Sequence, residues 1–169
     1  VWNLVRQADH SAVGVILDSF HTLSLKGDPA AIADIPGNKI FFVQMADAPL
    51  LAMDVLEWSR HFRCFPGQGE FDLPGFLAPI IRTGYSGPLS LEIFNDGFRA
   101  APPRANAVDG LRSLLYLEEK TRQLLAADVQ PANLDLLFDT PPASRYHGVE
   151  FLEFAVDEAA GAKLSGWLE

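Results

Sequence analysis

Val13-Gly14-Val15-Ile16-Leu17-Asp18 decides how this chain reads: a short apolar run without alternation, closed by a single carboxylate. Such a run fits a strand buried on both faces of a parallel sheet. Two more have the same form. Ile40-Phe41-Phe42-Val43 leads into Gln44, and Leu89-Ser90-Leu91 leads into Glu92 with Ile93 and Phe94 following. The segments between them read as helices. Asp28 caps a short one through Ile32 that stops at Pro36-Gly37. Another begins near Asp72, carries Phe76, Leu77, Ile80 and Ile81 at three- and four-residue spacing, and stops at Gly84, with Pro79 expected to kink it. The longest starts around Asp109 and runs through Leu111, Leu114, Leu115, Leu124 and Leu125. Strands alternating with helices imply right-handed βαβ units and an α/β fold around a parallel sheet.

Composition bounds the function classes. The 169 residues are 49% hydrophobic, enough for one sizeable core, so an intrinsically disordered chain is excluded. Thirteen Lys and Arg stand against 22 Asp and Glu, a net charge of −9. With no basic run, the chain offers nothing to nucleic acid or to an anionic membrane. The single cysteine, Cys64, rules out an internal disulfide and a cysteine-rich zinc site and reads as structural. No apolar stretch reaches membrane-spanning length, and a cytoplasmic protein acting on a small molecule is expected, with homo-oligomerisation left open.

The chain starts at Val1 in what reads as the last turns of an amphipathic helix and stops in a second helical stretch, so both ends are expected to continue in a longer protein. Residues 1–126 read as one unit. The stretch 127–146, broken by Pro131, Pro141 and Pro142, reads as a linker. From 147–169 a second α+β domain is expected to begin, with a strand-like run from Val149 to Val156 followed by a small-residue helix.

The ends of the three apolar runs carry the chemistry. Asp18, Gln44 and Glu92 each stand at the C-terminal end of a buried strand, the face on which side chains of adjacent barrel strands converge. Another polar residue follows each of them three positions later, namely His21, Asp47 and Asn95. An all-oxygen inner ring with two carboxylates suits a hard divalent cation such as Mg²⁺ or Mn²⁺, and one nearby imidazole leaves Co²⁺ or Zn²⁺ open. Plainer readings stand beside this one. Asp18 could be a helix N-cap, Gln44 could satisfy backbone groups, and His21 alone could be structural, whereas a carboxylate between Leu91 and Ile93 is costly to bury without a partner. Beside a cation His21 becomes a candidate proton carrier, because an imidazole titrates near neutrality.

Between the second and third strands, Trp58 to Glu70 contains Pro66-Gly67-Gln68-Gly69 and reads as a loop over the same face. Its Arg60 and Arg63 are the cations nearest an otherwise acidic site, suited either to a substrate carboxylate or phosphate or to plain solvent exposure. No nucleotide-binding glycine motif is present.

Gly14-Val15-Ile16-Leu17-Asp18-Ser19-Phe20-His21, Val43-Gln44-Met45-Ala46-Asp47, Pro66-Gly67-Gln68-Gly69-Glu70-Phe71-Asp72 and Gly84-Tyr85-Ser86-Gly87-Pro88-Leu89-Ser90-Leu91-Glu92 resemble the C-terminal part of a xylose isomerase-like TIM (β/α)8 barrel. That superfamily includes sugar isomerases, epimerases and endonuclease IV. Most members have His where Gln44 stands, and Gln there resembles the bacterial two-domain 3-dehydroshikimate dehydratases. Those enzymes continue into a 4-hydroxyphenylpyruvate dioxygenase-like domain of the vicinal oxygen chelate type, whose opening strand resembles Gly148 to Val156.

The resemblance implies that Asp18, Gln44 and Glu92 are metal ligands, His21 the acid/base, and Ser59 and Arg63 substrate contacts, with Mg, Mn or Co as cofactor. A fourth ligand, a Glu on an earlier strand, lies outside this chain, so residues 1–169 alone are expected to be inactive. The implied reaction is dehydration of 3-dehydroshikimate to protocatechuate, a step of quinate and shikimate catabolism. The alternative is a sugar or sugar-phosphate isomerase or epimerase of the same superfamily.

Overall fold

The three apolar runs form one parallel sheet in the order β1 (Val15–Asp18), β2 (Ile40–Met45), β3 (Leu89–Leu91). The computed structural model describes residues 1–127, 134–142 and 144–168. Helix α1 (Trp2–Ala8) precedes β1, and α2 (Ser19–Leu23) follows it directly. Two 3-10 segments, Pro29–Asp34 and Gly37–Lys39, lead into β2, the first capped by the Asp28 carboxylate on the Ala30 N–H. Helices α3 (Val55–His61) and α4 (Leu73–Arg82) connect β2 to β3. Helices α5 (Asp96–Ala100), α6 (Pro103–Ala126) and α7 (Glu158–Leu168) complete the described elements.

Strand register sets which side chains share a face. Asp18 lies opposite Gln44 and Gln44 opposite Ser90, while Glu92 stands two residues past Ser90 and returns to the same side. The other face carries Val15, Val43 and Met45 into the main core, where they join Phe76, Leu77 and Ile80 of α4. Full burial of each such side chain contributes about 1.5–3 kcal/mol, so α4 seals the sheet's outer face. The helix continues through Pro79, which is itself buried. A second apolar cluster of Phe20, Ala46, Ala48 and Trp58 lies at the C-terminal ends of the strands.

Several expectations about elements are corrected. The longest helix begins at Pro103, six residues before Asp109, because proline at the first helical position loses no hydrogen bond and already has a helical φ. Trp58 to His61 is the end of α3 and not loop. The Asp54 carboxylate caps that helix by accepting from the Leu56 and Glu57 N–H groups. Val149 to Val156 is an exposed segment without regular structure, since a strand needs a ladder partner and none stands beside it among the described residues.

In the expected linker, residues 128–133 and 143 lie outside the described residues. Leu137 is buried in the main core, Arg122 donates to the Leu134 carbonyl, and the Phe138 N–H donates to Glu118. That stretch is docked on α6. No helix among the described residues is long and apolar enough to cross a membrane.

Candidate active site

Asp18 ends β1 in an extended conformation and uses its two oxygens differently. Oδ1 accepts from the Phe20 N–H at 2.8 Å and the His21 N–H at 3.3 Å, capping α2. Oδ2 accepts from Arg63 Nη1 at 3.0 Å. The plain reading as a helix cap and the reading as a site residue therefore both hold, one for each oxygen. On the neighbouring strand, Gln44 Nε2 donates to Glu92 Oε1 at 2.7 Å, and Glu92 Oε2 accepts from the same Arg63 Nη1 at 2.8 Å. The three residues read from the strand ends are thus linked: Asp18 and Glu92 meet on the Arg63 guanidinium, and Gln44 is bonded to Glu92.

Arg63 is 1% exposed, so an unpaired guanidinium there would be prohibitive. Besides the two carboxylates, Nη2 donates to Ser59 Oγ at 2.8 Å and Nε to the Ser59 carbonyl at 3.1 Å. The rings of Phe20 and Phe94 lie 4.6 Å and 5.4 Å from the guanidinium carbon. Sequence reasoning expected Ser59 and Arg63 to face substrate. Here they face each other, one helical turn apart, and Arg63 faces the carboxylates. Arg60, also considered, is exposed.

The backbone carrying Arg63 is held from both sides. Cys64 exchanges two backbone hydrogen bonds with Asp47, the Arg63 N–H donates to the Phe94 carbonyl, and Asn95 Nδ2 donates to the Arg63 carbonyl at 3.0 Å. Asn95 Oδ1 also caps α5. Asp47, 1% exposed, organises the following loop, its carboxylate accepting from the N–H groups of Ala48, Gly67, Gly69 and Phe71. The wrap is tight enough that a Cβ on Gly69 would collide with that carboxylate and with the Ala48 backbone, and Gly67 adopts φ +86°.

Asp47→Asn should therefore cost about 1–3 kcal/mol, because the amide turns an NH₂ group toward N–H donors that need an acceptor. Urea unfolding of the variant checks this, and an unchanged midpoint would contradict it. The outer set seen in the sequence thus includes two residues, Asp47 and Asn95, that shape the frame around Arg63.

His21 sits at the mouth with its side chain 59% exposed. Nε2 lies 3.3 Å from Arg63 Nη2 and 3.6 Å from Asp18 Oδ2. A guanidinium has only donors, so in its contact with Arg63 the imidazole nitrogen is the acceptor and its lone pair is directed at Nη2. Cys64 is buried, and burial, with the Asp47 carboxylate second, pushes its thiol up to about 12, consistent with a structural and unreactive cysteine.

Phe20 and Phe94, which flank the guanidinium, were not singled out from sequence. An aromatic following a strand-end carboxylate has no distinctive pattern that would separate it from core. Among the described residues, no three of His, Cys, Asp and Glu are arranged to hold an ion. Two carboxylates do meet, on a point where a positive charge already sits, with the Gln44 amide bonded to one of them, and carboxylate and amide oxygens are the hard donors that suit a divalent cation.

Residues 1–117 match the family described as xylose isomerase-like TIM barrel. The chain belongs to that family. A 3-dehydroshikimate dehydratase of Pseudomonas putida is 78% identical over 169 residues, all of this chain and 27% of the relative. One from Pseudomonas aeruginosa is 73% identical over 168 residues, 99% of this chain and 26% of the relative. Among solved structures, a xylose isomerase-like TIM barrel/4-hydroxyphenylpyruvate dioxygenase fusion protein is 78% identical with a TM-score of 0.85, over 99% of this chain and 27% of that one. An IolI protein with a bound zinc atom shares the fold, with a TM-score of 0.62 at 22% identity over 69% of this chain and 41% of its own. The xylose isomerase-like chain thus spans about a quarter of the length of the curated dehydratases it matches.

Proposed function

We propose that this chain is part of a metal-dependent 3-dehydroshikimate dehydratase, a hydro-lyase of the cytoplasm that forms protocatechuate. The meeting of Asp18 and Glu92 at one atom, with Gln44 of the strand between them bonded to Glu92, carries the reading, and the names of the two Pseudomonas relatives support it. The chain divides into barrel residues 1–126, a connection over 127–146 and the start of a dioxygenase-like domain over 147–169, a division supported by the fusion protein's architecture.

In this reading Asp18, Gln44 and Glu92 hold Mg²⁺, Mn²⁺ or Co²⁺, together with a ligand from elsewhere in the parent protein. A divalent cation supplies Lewis-acid stabilisation of the charge that develops on a substrate carbonyl oxygen. The chain's own residues do the rest. His21, whose side chain stands 59% exposed at the mouth, takes the proton from the carbon between the carbonyl and the alcohol through Nε2 once that nitrogen is released from Arg63 Nη2. The carbon–oxygen bond of the alcohol breaks, the proton leaves with the departing hydroxyl as water, and loss of a further ring proton to oxygen by tautomerisation gives the aromatic product. Ser59 and Arg63 are proposed to orient the substrate carboxylate, Arg63 from the position where Ser59 and the two aromatic rings hold it.

The test is to incubate the parent protein with 3-dehydroshikimate and Mn²⁺ and follow protocatechuate absorbance. Product should accumulate, and chelation of the cation should stop it. Absence of product alongside turnover of a ketose would reject the assignment.

A further inference from the structure

Two assigned roles meet at one atom. Arg63 Nη1 holds Asp18 Oδ2 at 3.0 Å and Glu92 Oε2 at 2.8 Å, and those are the carboxylates that the proposed function gives to a cation. The guanidinium is buried, its other nitrogens are fixed by Ser59, the rings of Phe20 and Phe94 lie against it, its backbone is pinned by Phe94 and Asn95, and Asp47 holds the next residue, Cys64. Resting on the metal-site reading, we infer that Arg63 is a positioning residue that competes with the divalent cation for Asp18 and Glu92.

The physical argument is charge balance. Two carboxylates on adjacent strands repel each other, and a buried cationic partner between them removes that repulsion and keeps both turned inward. A divalent ion taking the same oxygens must displace the two Nη1 contacts and then lie beside a guanidinium of like sign, and both effects weaken its binding. Once displaced from the carboxylates, Nη1 has donors to offer an anionic group of the substrate, while Ser59 still anchors Nη2 and Nε. Cation binding would then precede binding of a carboxylate substrate.

Calorimetric titration of the full-length protein with Mn²⁺, in parallel with thermal unfolding, tests this without an activity readout. Arg63→Met keeps an unbranched apolar stem and removes the guanidinium with its charge. It should melt lower than the parent without Mn²⁺, bind Mn²⁺ at least tenfold more tightly, and gain more in melting temperature when Mn²⁺ is added. If Arg63→Met does not fold, Arg63→Lys carries the same test. A lysine side chain ends in one nitrogen where the guanidinium bonds through three, so it cannot reproduce the Ser59 and carboxylate contacts from separate atoms, and at least threefold tighter binding is expected there. Mn²⁺ binding by the parent with unchanged affinity in the folded variant overturns the competition and leaves the metal site standing. Absence of Mn²⁺ binding in parent and variants overturns both.

Discussion

Asp18→Ala is expected to destabilise the parent protein by about 3–4 kcal/mol, one of the largest effects of any single change at the site. Two losses combine. The α2 cap is worth about 1 kcal/mol, because the Phe20 and His21 N–H groups lose the oxygen that accepts from them. The larger loss is at Arg63, which is 1% exposed and would keep only Glu92 as a carboxylate partner. Removing one member of a buried ion pair typically costs about 3–5 kcal/mol, and the surviving Glu92 contact puts this case at the lower end. Asp18→Asn separates the two contributions, since its amide oxygen can still cap α2 while the charge is gone. Urea unfolding of parent, Asn and Ala variants gives the measurement. A loss below about 1 kcal/mol for Asp18→Ala would mean that the Arg63 contact does not hold the site together. Both variants should also lack dehydratase turnover.

His21→Ala should leave stability within about 0.5 kcal/mol of the parent, because the side chain is 59% exposed, yet lower kcat by about 10²–10⁴-fold. The contrast with Asp18 is the useful part: two residues three positions apart should separate into one that supports fold and chemistry together and one that supports the chemistry alone. Rates at saturating 3-dehydroshikimate and Mn²⁺, with melting curves taken on the same samples, decide it. Retained turnover in a folded His21→Ala would return His21 to a structural role and leave the proton transfer without a carrier.

Much of this was legible before any coordinates. Three apolar runs of matching form mark the parallel sheet and the polar residue closing each marks a strand end, because both are local properties of a chain; the expected burial on both faces does not hold, since Ile16 is 62% and Phe41 45% exposed. What could not be read was the partner. Arg63 lies 45 residues from Asp18 and 29 from Glu92, and nothing local marks an arginine as buried. Its place follows from Asp47 and Asn95 fixing the backbone on either side, a long-range arrangement without a periodic trace. Short helices were missed for a related reason. Seven residues of α3 are too few for an amphipathic period to stand out. The Val149 to Val156 run failed in the opposite direction, being strand-like in composition with no neighbour to pair with among the described residues.

The pairing of Asp18 with Gln44 and of Gln44 with Ser90 gives the middle strand an unusual freedom. Position 44 is the one uncharged member of the set, anchored by a backbone whose neighbours on both sides are already fixed. Exchanging that amide for an imidazole would alter the electrical character of the pocket and still leave an N–H to offer Glu92. Descendants of one ancestral barrel could in this way diverge in ion preference and in the acidity of what they bind through a single codon.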